Sequence, residues 1–173
     1  LGMALIFTLY AIVMLSLYGG KLPTIFIKRM KTNPYEARMR AMLIFAFIPL
    51  VVLFAQPLGT YSPWFPVILI GIGCAAHQSW SANIYTTVSD MFPKNAIATV
   101  TGIGGMAGGV SSMLMQACAG NLFVYADEVQ LEFLGFVGKP AGYFIIFCIC
   151  SVAYLVGWII MKTLVPRYKI IGS

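Results

Sequence analysis

The stretch HQSWSANIYTTVSD, His77 to Asp90, follows directly on the apolar run PVILIGIGCAA. It carries a histidine, a glutamine, an asparagine, a tyrosine and a row of hydroxyls. Each residue of an α-helix turns about 100°. Gln78, Ser81, Tyr85 and Ser89 then share one stripe, with Cys74 and Ala82 beside it and His77 at its edge. Trp80, Asn83 and Thr87 form a second polar stripe on roughly the opposite side. These are uncharged donors and acceptors, suited to holding a polar solute and not to breaking a bond. An unpaired polar group in lipid is costly, so at least one stripe must face protein or water. The expectation is that Gln78, Ser81 and Tyr85 line a hydrophilic cavity; the competing reading is hydrogen bonding between helices. His77 has no second ligand nearby, so a hydrogen bond within the bundle is expected of it and metal binding is not. With one histidine and no nucleophile–base pair, neither an enzyme nor a resident cofactor is expected.

A second stretch, TGIGGMAGG from Thr101 to Gly109, places five glycines in nine residues. Gly102, Gly104 and Ala107 fit a G-x-G-x-x-A dinucleotide pattern, but no strand precedes them and an apolar run surrounds them. Gly104 with Gly108, and Gly105 with Gly109, are overlapping small-x-x-x-small pairs of the kind that lets membrane helices pack closely. Each glycine also weakens the helix by about 1 kcal/mol relative to alanine. Close packing is the expected role, and a bending gate is the alternative.

The elements that must position these residues are membrane spans. The chain has 173 residues, 60% of them hydrophobic and 9% charged, where soluble domains run to about a quarter charged. A span needs about 20 mostly apolar residues. The pattern predicts an all-α membrane protein with five transmembrane helices, over 1–18, 41–56, 64–89, 98–119 and 142–161. Pro57, Pro63, Pro93 and Pro140 fall between spans or at their edges, while Pro49 and Pro66 are expected to kink theirs. Cys74, Cys118, Cys148 and Cys150 lie in apolar runs and read as small core hydrophobes. The chain starts at Leu1 inside an apolar run, which reads as a cut in a longer chain.

Charge sets an orientation. If the chain weaves five times, ten of its eleven basic residues fall on one side: Lys21, Lys28, Arg29, Lys31, Arg38, Arg40, Lys94, Lys162, Arg167 and Lys169. Lys139 stands on the other with Asp127, Glu128 and Glu132. The positive-inside rule then makes the C-terminus cytoplasmic. The net charge of +6 is a topology signal, since no aromatic platform accompanies it, and nucleic acid is not an expected partner. Asp90, at a helix end, is expected to pair with a basic residue of the same face.

SANIYTTVSDMFPKNAIATVTGIGGMAGGVSSM resembles helices ten and eleven of the anion:cation symporter family of the major facilitator superfamily, most of all its bacterial hexuronate transporter group. GGKLPTIFIKRMKTNPYEARMR resembles that family's link between helices eight and nine, and TLVPRYKII its C-terminal tail. The resemblance implies that the five spans are helices eight to twelve of a twelve-helix fold. It also implies a multi-pass protein of the bacterial inner membrane that takes up a sugar-acid anion with a proton by alternating access. The coupling charges would then lie in the missing N-terminal helices of the same carrier. By position it makes Tyr85 and Gly105 the substrate contacts of helices ten and eleven. Two departures stand out: the superfamily's G-x-L-x-D motif reads Gly20, Leu22 and Thr24, without its acid, and Gly105 offers no side chain. The candidate substrate-binding residues are therefore Gln78, Ser81, Tyr85, His77 and Gly105, with Asp90, Gly104, Gly108 and Gly109 as gating or structural positions. Other cargoes (an aldonate, an organic phosphate, an aromatic acid) and a non-transporting membrane scaffold are the alternatives.

Overall fold

A computed structural model describes residues 2–168; Leu1 and the Lys169 counted above lie outside them. The architecture is all-helical apart from one small hairpin: α1 (Gly2–Val13), α2 (Ser16–Gly19), α3 (Leu22–Met30), α4 (Pro34–Phe47), a 3-10 segment (Ile48–Phe54), α5 (Ala55–Gly59), α6 (Trp64–Met91), α7 (Lys94–Glu128), β1 (Glu132–Phe133), β2 (Phe136–Val137) and α8 (Lys139–Leu164). Among the described residues four stretches are long and apolar enough to cross a membrane: Gly2–Met30, Pro34–Gly59, Lys94–Glu128 and Lys139–Leu164. The fifth expected span, α6, has the length, at 28 residues, but is the polar one and is not among the four.

Several boundaries differ from the sequence reading. The first span does not stop at 18. Its chain stays helical to Met30, interrupted only by tight turns, so Lys21, Lys28 and Arg29 ride on or beside helix and not in an open loop. The break falls at 31–33, where Lys31 takes a left-handed φ of 51°. Asn33 Oδ1 then accepts from Glu36 N at 2.8 Å, and Pro34 occupies the first turn. A side-chain cap followed by proline is a standard helix start, so the second span begins at Pro34, seven residues before the expected Ala41. Pro49 does not leave a simple kink: residues 48–54 tighten into 3-10 geometry around it. Pro66 causes no break, because it sits in the first turn of α6, where its missing N–H has no helical partner to lose. The last two helices outrun the expected 98–119 and 142–161. At 1.5 Å per residue, the 35 residues of α7 extend about 52 Å, well beyond a hydrocarbon layer of about 30 Å.

The hairpin between α7 and α8 was not foreseen. Glu132 pairs with Val137 and Phe133 with Phe136, across a turn in which Leu134 and Gly135 both have positive φ. Two such residues in sequence give the turn that matches strand twist. Phe136 lies 4.9 Å from the Phe144 ring, which ties the hairpin to the start of α8.

α6 is the hub, packing on α1, α2, α4, α5 and the 3-10 segment. One core cluster gathers Ala41, Met42, Phe45, Ala46 and Trp80; a second gathers Tyr35, Met39 and Met91. The tight glycines are not those of α7. A Cβ on Gly19 would lie 2.4 Å from Ser79 Cβ, one on Gly73 2.8 Å from Val52, and one on Gly142 3.1 Å from Phe123. Among the described residues nothing lies within 4 Å of a Cβ built on Gly102, Gly104, Gly105, Gly108 or Gly109. The close packing expected of Gly104 with Gly108 and of Gly105 with Gly109 is therefore not made among the described residues of this chain, and α7 rests on α8 through its far end instead. Nor are the cysteines core residues: Cys74 and Cys148 are half-buried, Cys118 and Cys150 exposed.

Candidate functional site

The two stripes of α6 take opposite fates. Ser79, Trp80, Asn83 and Thr87 are buried against the neighbouring helices. The buried polar side chains turn back onto their own helix: Ser79 Oγ donates to Ala75 O at 2.9 Å, Asn83 Nδ2 to Ser79 O at 2.8 Å and Thr87 Oγ1 to Asn83 O at 2.7 Å. Such i−4 bonds satisfy a hydroxyl without a partner helix. Only Ser79 reaches across, to Ser16 O at 3.4 Å. Asn83, 1% exposed, keeps its Oδ1 without a partner among the described residues.

The other stripe stands on an open face. Gln78 and Ser89 are exposed, Ser81 is half-buried and Tyr85 is 46% exposed. Among the described residues the side-chain hydrogen bonds of α6 come from His77, Ser79, Asn83, Thr86, Thr87 and Ser89; Gln78, Ser81 and Tyr85 are not among their donors. Their amide, hydroxyl and phenol groups are thus available to a solute or to water. The expectation was a cavity wall; within this chain the ridge is a wall without a roof.

His77 is separated from that ridge. Its Nδ1 is hydrogen-bonded to the Tyr154 hydroxyl of α8 at 2.6 Å, with the two rings edge to face at 5.9 Å. It lines a cavity of about 340 Å³ together with Pro49, Val52, Cys74, Cys150 and Tyr154. Among the described residues no group of three His, Cys, Asp or Glu side chains could hold a metal. Gly105 and the neighbouring Gly104, Gly108 and Gly109 line the exposed face of α7 and touch no candidate residue of α6.

Asp90 belongs to a different cluster. Its Oδ2 accepts from Arg38 Nε at 2.6 Å, joining the end of α6 to the first turns of α4. The tail closes over the same place, since the Tyr168 hydroxyl donates to Asp90 O at 3.2 Å and the Tyr35 hydroxyl donates to Val165 O. Trp158 Nε1 donates to Met39 O at 2.8 Å. The pairing expected of Asp90 with a basic residue of its own face is made, by Arg38, while Tyr35 and Trp158 were missed by the sequence reading. The helical start signal at Asn33–Pro34–Glu36 would have put Arg38 and Tyr35 on a helix at the same end as Asp90.

Comparison with known proteins points one way. The chain is 32% identical over 107 residues to the hexuronate transporter of Escherichia coli K12 and, equally, to that of Escherichia coli O157:H7. The match covers 60% of this chain, and the chain spans about a quarter of the length of these curated relatives, 24%. No family model matches, and no solved structure matches. The chain is thus an all-helical, membrane-type protein with a distant likeness to transporters.

Proposed function

We propose that this chain forms part of a major facilitator carrier that takes up a hexuronate or a similar sugar acid with a proton by alternating access. The observation that carries the reading is the open ridge of α6. Three polar side chains stand one above another on a helix whose opposite polar residues, Asn83 and Thr87, are buried, and none of the three donates a hydrogen bond among the described residues. In a membrane such groups need water or a solute. A sugar acid offers ring hydroxyls to an amide, a hydroxyl and a phenol, and its carboxylate needs a cation. Gln78, Ser81 and Tyr85 then bind the hydroxyls, and the phenol ring also stacks on the sugar face. The charge contact and the proton path lie with other helices of the carrier, because no Asp, Glu, Lys or Arg stands at mid-depth in these spans and His77 is engaged by Tyr154.

In this reading Gly105 presents backbone to the cargo, and the bare glycine face of α7 lets helices of the carrier approach and part. The chemistry is binding and translocation, with no covalent step. The basic ends of the spans lie in the cytoplasm of a bacterial cell, by the positive-inside rule.

The test is uptake of labelled glucuronate by cells expressing the full-length carrier. Tyr85→Ala removes a hydrogen bond and a stacking surface, and uptake at low substrate falls about tenfold or more. Unchanged uptake removes Tyr85 from the site. Uptake of an aldonate, an organic phosphate or an aromatic acid in place of glucuronate keeps the carrier and changes its cargo.

A further inference from the structure

A cleft between α4 and α8 has the composition of a lipid site. Glu36, Arg40 and Leu43 lie on one face of α4, at i, i+4 and i+7, and Phe47 continues it. Lys162, Trp158 and Leu155 form the matching face of α8. α4 starts, and α8 finishes, at the same end of the bundle, that of the Arg38–Asp90 pair. Both faces therefore grade from charge at that end to hydrocarbon further in. Between them lies a cavity of about 330 Å³ lined by Glu36, Met39, Arg40, Leu43, Trp158 and Lys162. Beyond it Phe47 and Ile159 are 54% and 55% exposed.

The two cations are held but not neutralised. Arg40 Nη1 touches Met30 Sδ at 3.4 Å, and Lys162 Nζ donates to Pro166 O at 3.3 Å while lying 5.8 Å from the Tyr35 ring centroid. The one ion pair among the described residues is Arg38–Asp90, so neither Arg40 nor Lys162 is paired with a carboxylate there. The Trp158 indole, fixed by its bond to Met39 O, sits where apolar wall meets charge, the depth at which tryptophan marks membrane interfaces.

We propose that this cleft binds one anionic phospholipid, its phosphate between Arg40 and Lys162 and one acyl chain along Leu43 and Trp158 toward Phe47. Two cations against one acid favour a headgroup of net negative charge, and basic pockets between spans are built for such headgroups. Glu36 weakens the site and sets its preference: it repels a second anionic group close by and limits affinity.

The experiment is native mass spectrometry of the detergent-purified full-length protein with phosphatidylglycerol and, separately, phosphatidylethanolamine of the same acyl chains. Phosphatidylglycerol binds several-fold tighter. Arg40→Gln and Lys162→Gln each weaken it about fivefold, and the pair together about thirtyfold. Lys139→Gln, at the opposite end, changes nothing. Glu36→Gln tightens binding, a gain that a misfolded variant cannot produce. Equal affinity for the two lipids with all variants unmoved overturns the proposal, leaving ordinary boundary lipid. Displacement of the lipid by glycerol phosphate or inorganic phosphate also overturns it, in favour of a free-anion site.

Discussion

Gly19→Ala tests the packing that holds the polar helix in place. Gly19 ends α2 where it crosses α6, and a Cβ there would lie 2.0 Å from Ser79 Oγ and 2.4 Å from Ser79 Cβ. A rotamer change moves Oγ but not Cβ, so α2 and α6 must separate by about 1 Å to reach ordinary contact. Phe45, whose ring would be 3.2 Å from the new methyl, closes the third side. Overpacking of this kind costs about 1–3 kcal/mol, and alanine's better helix propensity returns less than about 1 kcal/mol. A net loss of about 1–2 kcal/mol is expected. Ser79→Gly removes both clashing atoms, so the double variant Gly19→Ala/Ser79→Gly recovers at least half of that loss. The assay is unfolding of the purified protein in mixed micelles, followed by helix signal, as a double-mutant cycle. Strictly additive losses, or a neutral Gly19→Ala, refute the close approach of α2 to α6.

Other outcomes follow from the same geometry. Gly104→Ala and Gly105→Ala, with open space around each new methyl, leave this chain as stable or stabilise it by up to about 1 kcal/mol, measured in the same assay; a loss shows that another helix covers that face. The Arg38–Asp90 pair, with side chains 18% and 26% exposed, lies between a surface and a buried ion pair, and Arg38→Gln with Asp90→Asn couple by about 1–2 kcal/mol in a cycle; coupling near zero makes the contact incidental. Tyr154→Phe and His77→Ala lower stability by about 1 kcal/mol each and non-additively, while leaving the KM for uptake unchanged; a raised KM returns His77 to the substrate site.

Periodicity carried the large features. Apolar runs give an all-helical membrane-type chain, and a 100° turn per residue separates Gln78, Ser81 and Tyr85 from Asn83 and Thr87, as the structure does. What failed was local or depended on partners. Hydropathy ends a span where charge begins, but a helix ends where its hydrogen bonds do, so α3 runs on to Met30 and α4 starts at its Asn33 cap. The Leu134–Gly135 turn gave no sequence signal, because leucine seldom takes the positive φ that it adopts there and only the glycine suits such a turn. Glycine density does not locate the contacts inside this chain: the cluster in α7 meets nothing among the described residues, while single glycines such as 19, 59, 71, 73 and 142 make close contacts, because contact depends on what stands opposite. His77, at the edge of the ridge, makes the hydrogen bond within the bundle that was expected of it, to the Tyr154 hydroxyl.

The wet ridge is best tested by thiol accessibility. Cys74, Cys118, Cys148 and Cys150 are first replaced in the full-length carrier, since two of them are exposed. Cysteines are then placed singly at 78, 81 and 85, and at 83 and 87 as buried controls. With a water-soluble thiol reagent the first three are modified and a hexuronate slows their reaction, while the controls stay unreacted. Silence at 78, 81 and 85 with and without cargo contradicts the claim that this ridge faces water and solute.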